Sequence, residues 1–106
     1  MTPKAPLKCP LLLNARELEK QHPETFSCPN DRDCQWIKKG TMVKVCNGRE
    51  RFWVEVTAIR KGGILQGRCS NNLVCTDQSV LKLGDEFQFS TVNIYDIEGF
   101  PDTDTL

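Results

Sequence analysis

Six cysteines and one histidine carry most of the chemical scope of this 106-residue chain. Thiolates are nucleophiles and soft-metal ligands, and imidazole is their usual base. The thiols are Cys9, Cys28, Cys34, Cys46, Cys69 and Cys75, and no two have Cys-x-x-Cys spacing. A zinc site would have to draw on Cys28, Cys34, His22 and Cys9, the least unfavourable set, without a knuckle to organise it. A Cys–His nucleophile pair would have to use His22, which stands directly before Pro23 with no carboxylate at an orienting distance in sequence. P-loop, Gly-x-Gly-x-x-Gly, His-Glu-x-x-His and paired-carboxylate patterns are absent. The expectation is a non-catalytic domain with no cofactor and no metal, whose cysteines are free thiols or small buried hydrophobes.

A second set suits binding rather than catalysis. Arg51 to Arg60 alternates apolar and polar residues without Gly or Pro, which predicts a central strand. Asn47-Gly48 before it is a strong two-residue hairpin signal. Such a loop sets Val43 opposite Phe52, Lys44 opposite Arg51 and Met42 opposite Trp53. Trp53, Lys44, Arg51 and Met42 then share the face away from the core. Facing cations are unfavourable unless an anion or carboxylate lies between them. An indole beside cations suits base stacking with phosphate contact, as in small barrels that hold single-stranded nucleic acid, and equally an acidic stretch of a protein partner. The competing expectation is structural: Glu55 screens the cations, and Trp36 with Ile37 lies over Trp53 and buries it.

Charge is uneven along the chain although the total is zero. Residues 32–68 carry nine Lys/Arg against three Asp/Glu, a net +6, and residues 69–106 carry one against seven, a net −6. The simplest reading is that basic and acidic strands lie side by side; the alternatives are an anion-binding face or pairing between subunits. The acidic final third argues against a nucleic-acid backbone. An apolar fraction of 39% with 26% charged residues is globular rather than disordered. No apolar run approaches a membrane span, so a cytoplasmic location is the default expectation.

The elements that position these residues follow from local signals. Residues 1–13 suit an extended arm, 14–97 a single α+β domain, and 98–106 an acidic tail. Asn14 caps a helix over Ala15 to Gln21, stopped by Pro23. Asn30 or Asp31 opens a second that carries Cys34, Trp36 and Ile37 to Gly40. Strands follow over Met42 to Cys46, the Arg51 stretch, a segment with Leu65, Gly67 and Cys69 inward after the Gly62-Gly63 turn, Glu86 to Ser90, and Asn93 to Ile97. Gly67 inside its strand predicts a bend or bulge. Five short strands around Phe52, Val54, Val56, Leu65, Phe87 and Phe89 predict a mainly β, SH3-like, partly open barrel with short N-terminal helices. A plain twisted sheet is the alternative.

His-Pro-Glu-Thr-Phe (22–26), Gly-Thr-Met-Val-Lys-Val (40–45), Arg-Phe-Trp-Val-Glu-Val-Thr (51–57), Leu-Gly-Asp-Glu-Phe-Gln-Phe (83–89) and Asn-Ile-Tyr-Asp (93–96) resemble blocks of small bacterial proteins of unknown function related to the YegJ-like domains. The resemblance covers about residues 15–97. It implies one sheet-cored domain and no activity, and the cysteines lie outside its blocks. Together these features point to an interaction module that binds a protein partner or itself. A single-stranded nucleic-acid-binding barrel is the alternative, and a Cys/His metal site or thiol enzyme comes after it.

Overall fold

The computed structural model describes residues 10–24 and 28–98. The chain runs α1 (Ala15–Gln21), α2 (Asp31–Cys34), β1 (Met42–Cys46), β2 (Arg51–Ile59), β3 (Ile64–Cys69), β4 (Glu86–Ser90) and β5 (Asp96–Ile97). The strands form one antiparallel sheet in the order β4-β3-β2-β1-β5. Among the described residues, no helix is long and apolar enough to cross a membrane.

Period-two burial drives the sheet. Val43 and Val45 of β1, Phe52, Val54 and Val56 of β2, Leu65 and Cys69 of β3, and Phe87 and Phe89 of β4 all point to one buried side. Phe87 is the hub, edge-on to Phe52 at 6.3 Å between centroids and 5.6 Å from Phe89. Ile37, Leu73, Leu81 and Ile94 cover this side from the connections.

Gly67 lies where β3 crosses this core. A β-carbon there would collide with Val54 and reach 3.0 Å from the Glu55 carbonyl and from the Phe89 ring. Close approach, not backbone freedom, is therefore what demands glycine. The bulge expected at Gly67 lies across the ladder instead, where the register slips between Val56 and Ala58 and leaves Thr57 unpaired.

A smaller cluster sits on the other side. Cys46 points away from the main core and is buried with Tyr95 beneath Ala15, Leu18 and Cys28. The fully buried Ala15 lets α1 come close. Asn14 caps this helix, accepting from Glu17 N–H at 3.1 Å.

Four expectations are corrected. The sheet is not closed into a barrel, since no ladder joins β4 to β5. It is nevertheless curled: the chain passes from edge strand β4 to edge strand β5 in the five residues 91–95, three of them wound into the 3-10 turn Thr91–Asn93. The edges of a flat five-stranded sheet would lie about 19 Å apart, farther than this connection reaches. The β1–β2 loop has four residues, pairing Cys46 with Arg51, Lys44 with Trp53 and Met42 with Glu55. The Asn47 side chain holds it by accepting from Arg49 and Glu50 N–H at 2.9 and 3.0 Å. The expected facing of Lys44 with Arg51 therefore does not occur. A slip of two residues keeps every side chain on its face, which is why the core assignment survives. The second helix ends at Cys34, leaving Trp36 and Ile37 in the following turns. The last strand is only Asp96–Ile97, preceded by the 3-10 turn.

Candidate functional site

Met42, Lys44, Arg51 and Trp53 do share the outer face of β1 and β2, as period two requires. Each cation there is already engaged. Lys44 Nζ sits 4.8 Å from the centroid of the Trp53 ring, and Lys44 pairs in register with Asp96 of β5. The Arg51 guanidinium lies 5.1 Å from the centroid of Tyr95. One row along, Arg68 is 3.9 Å from both Glu55 and Glu86, its neighbours across the sheet. Basic and acidic strands thus answer each other within the fold. Trp53 is half-buried, but Trp36 does not cover it, being 65% exposed. Lys44 occupies one face of the Trp53 ring, a face that a stacking base would need.

The thiols do not converge on chemistry. Cys46 and Cys69 are buried, Cys28 and Cys34 half-buried, and Cys75 exposed, all unpaired. Burial, reinforced by the Glu19 carboxylate that accepts from Cys28 N–H at 2.7 Å, pushes the Cys28 thiol up to about 11. Burial also raises Cys34, against the nearby Arg16 guanidinium, and Cys69. Tyr95 rises to about 12 through burial and its neighbour Cys46. These shifts favour thiol over thiolate, the reverse of an activated nucleophile. His22 is exposed at the end of α1, its N–H donating to Leu18 O at 2.9 Å. Cys9 lies outside the described residues, and among those described no three His, Cys, Asp or Glu side chains gather as a metal would require. The set Cys28, Cys34, His22 and Cys9 therefore gains no support.

A groove of about 430 Å³ opens between Leu11, Arg49, Thr76 and Val80. Two of its lining residues, Asn47 and Thr76, belong to a closed network centred on Glu50. Glu50 accepts from Val74 and Cys75 N–H at 3.1 and 2.7 Å and from the Thr76 hydroxyl at 2.7 Å, and Asn47 Nδ2 donates to Thr76 Oγ1 at 2.7 Å. Desolvation works against the Glu50 charge, but these bonds prevail and hold its carboxyl below the ordinary value. The network fastens the 74–76 loop to the hairpin, and the lining carboxylate Asp77 is itself engaged, accepting from the Ser79 N–H and hydroxyl at 2.8 and 2.7 Å.

The end of the sheet at the α2–β1 and β2–β3 connections is different. A turn closes from Lys38 to Thr41 (Thr41 N–H to Lys38 O at 3.0 Å, Lys38 N–H to Thr41 Oγ1 at 3.0 Å). It is fixed to β2 by Gly40 N–H to Val56 O at 2.8 Å and Val56 N–H to Thr41 O at 2.9 Å. Gly40 takes φ +91°, open to glycine and strained for other residues. Ile37 anchors the segment in the core while Trp36 stands out, and Lys38 and Lys39 are exposed. Arg60 and Lys61 follow on the β2–β3 connection, about 13 Å along the strand from Val56. Ile59 and Ile64 beside them are 51% and 36% exposed.

No acidic residue occurs in 34–49 or 56–76, and among the described residues none of these four cations forms an ion pair, Arg60 donating instead to Gln66 Oε1 at 3.2 Å. The nearest acids on adjoining strands are Glu55, already facing Arg68, and Glu98, whose N–H donates to Met42 O at 2.9 Å. Sequence reasoning passed over this region because it placed Trp36 on Trp53. The signal that could have found it is two basic dipeptides, Lys38-Lys39 and Arg60-Lys61, each directly beside an apolar residue.

Comparisons with protein-family models, with curated proteins and with solved structures return no match for this chain.

Proposed function

We propose that this domain is a non-catalytic interaction module that binds an acidic, partly apolar segment of a protein partner at the sheet end carrying Trp36. The observation that supports it is the charge at this end of the sheet without acidic partners among the described residues: Lys38 and Lys39 close to exposed Trp36 in the chain, and Arg60 and Lys61 next to exposed Ile59. The backbone of the Lys38–Thr41 turn, fixed to β2, loses little freedom on binding, so the ordering cost falls on the side chains alone. Trp and Arg are the residue types that anchor interfaces. Exposed isoleucines suit the aliphatic side chains of a protein segment better than single-stranded bases, which are held chiefly by stacking on aromatic rings. The curled five-stranded sheet also supports the finer reading of an SH3-like, partly open barrel, for which a rim of this kind is an available binding edge.

Titration of tryptophan fluorescence, in a Trp53→Phe background so that Trp36 alone reports, tests this. The probes are a peptide alternating Glu with Leu and Phe, and a single-stranded oligothymidine of equal charge. The peptide should bind at least about tenfold more tightly, and Trp36→Ala or Lys39→Glu should each weaken it by about tenfold or more. Equal weak binding of both probes, untouched by these substitutions, would reduce the region to a solvated basic edge.

A further inference from the structure

We infer that β4 is a self-pairing edge through which two copies of this chain join their sheets about a two-fold axis at Gln88. The ladder sets which groups are free. Cys69 N–H donates to Asp85 O at 2.9 Å, and the register runs from Arg68–Glu86 to Ile64–Ser90 without a slip. By the antiparallel alternation, Phe87 and Phe89 therefore direct their backbone groups at β3, and Glu86, Gln88 and Ser90 direct theirs outward. Ser90 N–H is taken by Asn93 Oδ1 at 2.8 Å. Among the described residues, nothing bonds the backbone N–H or C=O of Gln88, and its side chain is exposed.

Edges are normally protected by a lysine, a proline, a bulge or sheer shortness. The other edge, β5, has two residues. The strand β4 has five residues, Glu-Phe-Gln-Phe-Ser in unbroken register, with neither lysine nor proline nor bulge, and among the described residues no further strand pairs with it.

The occupant is a second copy because the strand complements itself. Antiparallel pairing centred on Gln88 lets each Gln88 exchange both backbone bonds with the partner's Gln88. It sets Glu86 opposite the partner's Ser90 and Phe87 opposite the partner's Phe89. No like charges face each other, and Glu86 keeps Arg68 as its neighbour on the other side. The Asn93 bond to Ser90 ends the ladder after Glu86 N–H reaches the partner's Ser90 carbonyl. So short a seam buries well under the roughly 1,200 Å² of a durable interface. The dimer is therefore one in rapid exchange, populated toward millimolar concentration.

Sedimentation velocity from tens of micromolar to about one millimolar should show a reversible monomer–dimer equilibrium, weakened about tenfold or more by Gln88→Glu, which sets two carboxylates face to face on the axis. Gln88→Pro, which removes only an outward donor at a position where an edge tolerates proline, should act likewise with an unchanged far-UV spectrum. In a half-labelled sample, an intermolecular contact between Phe87 Hα and the partner's Phe89 Hα identifies the register. Lys39→Glu should leave the equilibrium alone, which separates this inference from the proposed binding end. A strict monomer at one millimolar, or a dimer indifferent to both Gln88 variants, would overturn it. So would a monomer whose β4 resonances move only when an extended peptide of another sequence is added.

Discussion

The outer face of the sheet and the sheet end beside it draw on the same basic stretch of sequence and use it in opposite ways. On the face, Arg68 lies between Glu55 and Glu86, Lys44 over Trp53, and Arg51 over Tyr95. At the end, Lys38, Lys39 and Lys61 have no such partners among the described residues, Arg60 donates only to the neutral Gln66 Oε1 at 3.2 Å, and Trp36 stands in solvent. A cation that already has a neighbour in the fold gives up that contact when it turns to a ligand, whereas one without a neighbour gives up only water. Positive charge in sequence is thus a poor guide to a binding surface until the strand order is known.

The largest test of this contrast lies beneath the face. If the face is architecture, its strength comes from the rings under it. Phe87, fully buried against Phe52 and Phe89, should cost about 3–5 kcal/mol when changed to Ala, measured by chemical denaturation. A loss below about 1 kcal/mol would mean that the sheet is not seated on this cluster. Trp36→Ala at the sheet end should leave the denaturation midpoint nearly unchanged, because its ring is mostly in water.

Gly67→Ala comes next. The new methyl would drive into Val54 and press on Phe89 and the Glu55 carbonyl, the last of which cannot swing aside as a side chain can. The expected loss is about 1–3 kcal/mol. Because Glu55 faces Arg68 across the ladder, the same change should disturb the charged row above it, seen as shifts in the Glu55 and Arg68 amide resonances. Unchanged stability would show that β3 moves away from β2 at little cost, and the face would then be less rigid than its register suggests.

What the sequence made legible followed from how local each decision was. Asn14 and Pro23 bracket α1, so this element could be bounded to the residue. The β1–β2 turn was misjudged by two residues because the Asn47-Gly48 signal competes with bonds that only the fold supplies: Asn47 to its own loop, and Glu50 to residues 74–76. Alternation then protected the core assignment, since a two-residue slip changes partners but not faces. The same slip erased the facing of Lys44 with Arg51, which had been the main reason to expect an anion there. Trp36 was misplaced because α2 stops after one turn, when Ile37 drops into the core instead of continuing the helix. Barrel closure was out of reach from local pattern, because it depends on whether β4 and β5, the two far edges, meet.

The smallest effect is the sharpest for the comparison itself. Arg68 touches Glu55 and Glu86 at 3.9 Å, with about half of its side chain in solvent. Long, exposed contacts of this kind contribute at most about 1 kcal/mol each, and salt weakens them. Arg68→Ala should therefore lower stability by roughly 0.5–1 kcal/mol at low salt and by less in about 1 M sodium chloride. It should not change binding of the acidic peptide. Lys39→Ala should do the reverse, leaving the midpoint where it was and weakening the peptide. A double-mutant cycle between Arg68 and Glu86 measures the first half directly, and a coupling that shrinks with salt is the expected sign. If Arg68→Ala weakened peptide binding as much as Lys39→Ala did, the sheet face and the sheet end would form one continuous basic surface, and the division between answered and unanswered charge would not hold.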